Sequence, residues 1–237
     1  MPLLLFLLAA GAWTQPSFEI PRAGTRIRVD GKLDEPAWIA TPSLVLNEFP
    51  WWKSGAKERT VVKLLWDDDN PYIAHISQDA HITARHPDRD GKVADDDCFE
   101  IMILPDPANP NRYFNLEWNV VGGLVDNFRP NGPKAPRAPR WDADGVQVKG
   151  SYEGTLNNDS DTDKWWLVEV AIPFRNFKDY AVTPPKPGSY WLGNLNRHGG
   201  DTNRQFSQWS AGDTPQPSFH TPHRFGKLIF SSKVSPF

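Results

Sequence analysis

The sequence predicts an all-β fold: an antiparallel, jelly-roll-like β-sandwich of two sheets with a few short helical turns. Three observations lead there. Short segments of alternating or wholly apolar residues recur along the chain, each bounded by turn residues. No stretch longer than a turn or two carries helical period. The chain also holds 23 prolines, a content that favours loops over helices.

Residues 2–12 (PLLLFLLAAGA) form an uncharged apolar run, well short of the ~20 residues a membrane span needs. Small residues at 10–12 suit a signal peptidase, although no Lys or Arg precedes the run. The expectation is a signal peptide over 1–12, or as far as 15, and an exported protein, periplasmic or extracellular. A single domain over 20–232 follows, a monomer with no transmembrane segment in the mature chain. Asp34-Glu35-Pro36-Ala37-Trp38 reads as a helical turn capped by Asp34. Residues 60–66 and 72–77 flank Asp67-Asp68-Asp69-Asn70-Pro71 as a hairpin. The run 99–104 is a buried strand stopped by Pro105, and 113–120 and 124–128 flank Gly122-Gly123 as a second hairpin. Further strands are expected over 146–152, 165–172, 190–196 and 225–230, with another helical turn over 173–177.

A formal net charge of −3 leaves no basic footprint for nucleic acid. Cys98 is the sole cysteine, so no intrachain disulfide forms, and its apolar setting marks a small buried hydrophobe. There is no P-loop, dinucleotide fingerprint or Gly-x-Ser-x-Gly elbow. Nothing in the spacing selects a carboxylate pair for catalysis, and the expectation is a protein that is not an enzyme.

The 11 tryptophans exceed what a core of this size requires, which places some rings at the surface. Trp51 and Trp52 follow Glu48-Phe49-Pro50 in a loop, and Trp209 lies near Gly212. Strand alternation displays Glu117 and Asn119 along one segment and Asn194 and Asn196 along another, with Arg197 next to them. Indole faces beside amides, carboxylates and guanidinium groups are what a sugar ring and its hydroxyls require. The alternative is a solvated sheet face with tryptophans closing the sandwich ends. Asn157, Asp159, Asp161 and Asp163 alternate like a calcium loop, without the glycine and distal glutamate of an EF-hand. A hydrogen-bonded turn is the alternative there, so no cofactor is required and structural calcium is a possible addition.

In order along the chain, several segments resemble one family. They include Val29-Asp30-Gly31-Lys32-Leu33-Asp34-Glu35-Pro36-Ala37-Trp38, Asp96-Asp97-Cys98-Phe99-Glu100, Trp166-Leu167-Val168-Glu169-Val170 and His223-Arg224-Phe225-Gly226. The series resembles the family 9 carbohydrate-binding modules and their relatives of the DOMON-like β-sandwich superfamily. That resemblance implies a ligand clamped between two tryptophans, structural calcium, and work alongside glycoside hydrolases in polysaccharide catabolism. It assigns the clamp to Trp52 and Trp209, with Glu117, Asn194, Asn196 and Arg197 as polar partners and a xylan- or glucan-type glycan as ligand. Relatives with this sandwich hold b-type haem, so an electron-transfer domain is a second reading, with Met102 as the internal methionine. A hydrolase accessory with its own activity is a third.

Overall fold

The computed structural model describes residues 13–138 and 141–235, so the signal-peptide expectation over 1–12 lies outside the described residues. All the predicted strands are present. They appear as β3 (Thr60–Trp66), β4 (Pro71–Gln78), β5 (Cys98–Leu104), β6 (Tyr113–Asn119), β7 (Leu124–Arg129), β8 (Gln147–Glu153), β9 (Trp165–Ala171), β10 (Tyr190–His198) and β12 (Gly226–Val234). The structure adds β1 (Ser17–Arg22), β2 (Ser43–Val45) and β11 (Phe206–Gln208).

The all-β expectation therefore holds, but two separate antiparallel sheets are not what forms. The strands join into one mixed sheet in the order β7-β6-β5-β10-β12-β1-β3-β4-β9-β8. The joint is β1, which pairs in parallel with β12 and touches β3 through Arg22 and Trp66. Its register breaks between Ile20 and Arg22, where Pro21 has no N–H to give a ladder. The sheet curls until its far strand meets its beginning. Gly150 in β8 packs so closely on the Val120 carbonyl that an added Cβ would lie 2.1 Å from the oxygen. The result is nearly a barrel.

Inside the curl lies one apolar core, shared by Phe99, Leu116 and Trp118 from one side and Leu64, Trp166 and Val168 from the other. A smaller cluster sits outside β3, β4 and β9, under the helix α1 (Pro36–Ala40). Trp38 there donates its indole N–H to Glu169 Oε1, and the backbone N–H groups of Asp30 and Gly31 donate to Oε2. Gly31 takes φ 81°, and a Cβ would meet the Gly150 carbonyl at 3.1 Å. The Asp30-Gly31 and Ala37-Trp38 pairs of the opening segment are thus joinery. One detail differs from expectation: Glu35, not Asp34, occupies the N-cap, and its side chain accepts from Arg28 N–H instead of capping.

Candidate functional site

Alternation along β5, β6 and β10 turns Phe99, Ile101, Phe114, Leu116, Trp118 and Leu195 into the core. The intervening residues form the opposite face, and the register decides which of them meet. Glu100 lies opposite both Glu117 and Asn196, and Asn115 lies opposite both Met102 and Asn127. β11 extends the face, pairing Gln208 with Asn196 and Phe206 with His198.

The segment 217–220 covers part of this face and, with Glu100, Glu117, His198 and Phe206, lines a half-open cavity of about 160 Å³. A wider groove of about 600 Å³ lies over Trp51, Trp52, Lys53 and Arg204, sharing Phe206 and Pro217 with the smaller cavity. That size falls in the roughly 300–1,000 Å³ span of small-molecule sites. Trp51 packs against Phe206 and Phe219, centroids 6.0 and 5.9 Å away, and donates its N–H to the Thr214 carbonyl. Its ring is pinned. Trp52 is 44% exposed, with the Lys57 ammonium 4.5 Å from its ring centre.

The polar floor is neutral in part. Burial first, and then the charge of Glu117, pushes the Glu100 carboxyl well above the usual carboxylate range. Glu117 is also raised by burial, and the two carboxyls lie opposite each other across the β5–β6 ladder, so burial and mutual repulsion both favour the neutral form. Burial lowers His198 and His220 to about 4 each, aided by Arg204 for the first and by Arg129 and Arg137 for the second. Both imidazoles are therefore neutral at neutral pH. His220 Nδ1 lies 3.0 Å from the Tyr113 hydroxyl.

Three buried polar atoms of this region have no partner: Asn115 Oδ1, Asn196 Nδ2 and Arg129 Nε. Each unmet group costs about 1–3 kcal/mol. A sugar hydroxyl, donor and acceptor at once, can satisfy either kind.

The model of carbohydrate-binding family 9 matches residues 44–230. The chain belongs to that family. No match is found among curated proteins. Among solved structures, the family 9 chain is similar to a protein of Bacteroides uniformis provisionally described as carbohydrate-binding. The TM-score is 0.75 at 20% identity, covering 92% of this chain and 100% of that one. It is also similar to a family 9 module of Caldicellulosiruptor kristjanssonii in complex with cellotriose. Here the TM-score is 0.60 at 14% identity, over 91% and 95% of the two chains. A complex of such a module from that organism with glucose gives 0.63 at 13%, over 93% and 99%. These likenesses are likenesses of fold.

The family 9 chain brings together some of the residues singled out from its sequence. Trp51, Trp52 and Glu117 line the groove or the cavity, and Asn196 is buried beside the cavity-lining Glu100. Trp209 does not face Trp52. One residue beyond Gln208, it alternates to the other side, packs against the core and abuts Gly226. Arg197 is likewise turned inward and wholly buried, donating to Gln78 O, Asp79 and Glu58. Asn194 closes on Ser210, giving its amide N–H to that carbonyl and accepting from that N–H. Asn119 stitches the β6–β7 turn, donating to His86 O and Asp96 and accepting from Gly123 N–H. Glu100, Phe206, Phe219 and His220 are not singled out by the sequence, whereas Asn115 shares the polar strand face that alternation assigns to Glu117 and Asn119. Of these, Phe206 could have been found from its alternation with Ser207.

The 157–163 loop is held by protein partners. Asn157 pairs with the Ala84 backbone, and Asp163 accepts from Ile82 and Thr155 N–H. Asp161 accepts from Thr155 Oγ1, and Asp159 from Thr202 Oγ1. Each of these oxygens already has a protein donor, two of the side chains sharing Thr155, and they do not converge as a group among the described residues. Among the described residues, the carboxylates that converge are Asp90, Asp126 and Asp142, with oxygens within 4.8 Å of one another. Met102 is fully buried beside Leu104, Tyr113 and Phe225.

Proposed function

We propose that this family 9 chain is an exported, non-catalytic carbohydrate-binding protein that serves polysaccharide breakdown beside glycoside hydrolases. The observation that carries the reading is the set of unpartnered buried atoms, Asn115 Oδ1, Asn196 Nδ2 and Arg129 Nε, in a face bordered by the Trp51–Trp52–Phe206 groove. Trp52 supplies the stacking surface for a sugar ring, while the floor supplies hydrogen bonds to hydroxyls. Support comes from the cellotriose and glucose complexes of the Caldicellulosiruptor modules, which share this fold. Glycans of the xylan or glucan type are the first ligands to try.

Binding without cutting suits the carboxyl geometry. A glycosidase holds its two carboxyl groups roughly 5–9.5 Å apart, on either side of the scissile bond. Glu100 and Glu117 instead sit side by side, directly opposite each other on the β5–β6 ladder. Structural calcium is a separate part of the proposal, and Asp90, Asp126 and Asp142 suit it better than the 157–163 loop, because Asp126 Oδ1 is buried without a partner. The haem reading of DOMON-like relatives gains no support from Met102, whose sulfur side chain serves packing.

The test is calorimetric titration of the mature chain with cello- and xylo-oligosaccharides, beside Trp52→Ala and Glu117→Gln. Binding that weakens tenfold or more in both variants, with folding intact, supports the reading. Binding to no glycan by a well-folded protein sinks it.

A further inference from the structure

The charges around the groove say more about the ligand than its shape does. Lys53 and Arg204 line it, and Lys57 stands over Trp52. Behind the cavity-lining Glu117 and His220, and outside the lining itself, Arg137 donates to Asn127 Oδ1, and both Arg129 and Arg137 act electrostatically on those two groups. Among the described residues, none of these cations has a carboxylate within the 4.0 Å of an ion pair. The opposing charge is small. Burial shifts Glu100 and Glu117 towards the neutral form, and Asp95 acts on His198. The groove is thus positive on a chain whose formal net charge is −3.

Arg129 makes the point sharpest. Its Nη1 reaches only the Ala135 carbonyl, at 3.3 Å, and its Nε is buried without a partner. A guanidinium with free N–H groups is built for two parallel bonds to a planar or tetrahedral oxyanion. A neutral hydroxyl uses one of those donors and none of the charge.

We infer that the groove selects an anionic glycan, one bearing a uronate carboxylate or a sulfate ester, with Arg129 and Arg137 receiving the anionic group and Trp52 stacking a neighbouring ring. The inference rests on the carbohydrate-binding reading and narrows its ligand class. Charge-assisted hydrogen bonds of about 1.5–3 kcal/mol convert to roughly tenfold or greater preference over the neutral sugar.

The experiment is calorimetry of the mature chain at about 0.01 M and about 0.15 M ionic strength. The probes are cellotriose and xylotriose, uronate-bearing xylan and pectin oligosaccharides, sulfated galactan oligosaccharides, and inorganic sulfate. Arg129→Gln and Arg137→Gln are titrated beside the wild type, the exposed Arg137 site guarding against a folding defect at Arg129. The expected result is an anionic oligosaccharide bound at least tenfold tighter than its neutral counterpart. That advantage should shrink with salt and disappear in both variants, and the better of the uronate and sulfate sets names the anion. Neutral oligosaccharides bound as tightly as anionic ones would overturn the inference and leave the carbohydrate reading standing. Inorganic sulfate competing as well as the oligosaccharides would overturn it too, marking a simple anion site. Binding of none of the probes would overturn both.

Discussion

Two polar clusters built from the same residue types lie on opposite sides of β10, and they differ in how their atoms are used. On the inner side, Arg197 bonds Gln78 O, Asp79 and Glu58, while Trp166 donates to Asp79 and Gln205 donates to Glu58. The backbone N–H groups of Ala80 and His81 take up the remaining carboxylate oxygens, so every oxygen of Asp79 and Glu58 is bonded, while Arg197 Nε, His81 Nδ1 and the neighbouring Ser207 Oγ have no partner. On the outer face, Glu100, Glu117, Asn115, Asn196 and Arg129 leave three buried atoms unmet beside an open groove. A cluster whose carboxylates are all matched from within holds the fold; the outer one has its unmet atoms beside a groove, where hydroxyls or anions from outside can arrive. Residue type alone does not separate the two.

The contrast can be broken most forcefully at Arg197. Arg197→Met should strand the buried Asp79 and Glu58 charges and cost about 3–5 kcal/mol, read as a fall in the urea midpoint. A loss under about 1 kcal/mol would mean that the knot does not hold the fold together. The two tryptophans come next. Trp209→Ala should cost about 3 kcal/mol with little change in glycan affinity, because that ring packs on the core. Trp52→Ala should reverse the pattern, losing affinity about tenfold with stability within about 0.5 kcal/mol of wild type. If Trp209→Ala abolished binding in a protein that stayed folded, the groove would have been drawn in the wrong place.

Smaller effects come from titration. Glu100 has its folded pKa raised by burial, so the folded state holds a proton that the unfolded chain releases above its ordinary pKa. Its contribution therefore turns unfavourable as pH rises above about 4.3, the ordinary glutamate value. Glu100→Gln should raise the unfolding midpoint, and more so at pH 8 than at pH 5. The histidines run the other way. His198 and His220, held at about 4 by burial, bind protons more weakly folded than unfolded. Stability should be full above about 6.5 and be lost as pH falls from there towards 4. His75 adds to this loss. It is fully buried, its Nε2 accepts the Trp118 indole N–H, and its pKa is pushed well below the usual value by burial and Arg197. Thermal melts across that window test the sign, and His220→Gln should flatten the curve.

Much of this was readable before the structure, and the rest was not for physical reasons. Period-two alternation located the strands and their two faces. Applied one residue further, it would have turned Arg197 away from Asn196, and Trp209 away from Phe206. The partnership of Glu100 with Glu117 depends on the register of β5 against β6, which no local pattern encodes. Phe219 reaches Trp51 across a long stretch of chain because the 217–220 segment folds back over the face. β1 escaped notice because Pro21 interrupts it and its parallel partner β12 is at the far end of the sequence. The acidic spacing at 157–163 resembles an ion site, yet its oxygens accept from protein donors, Asp163 from Ile82, Asp159 from Thr202 and Asp161 from Thr155 in the same loop.

The most direct test of open against closed is to follow the side-chain amide signals of assigned asparagines by NMR during glycan titration. Asn115 and Asn196 should shift as their unpartnered atoms gain bonds, while Asn194 and Asn119, already bonded to Ser210 and to the β6–β7 turn, stay in place. Shifts at Asn194 and Asn119 without shifts at Asn115 and Asn196 would contradict the account.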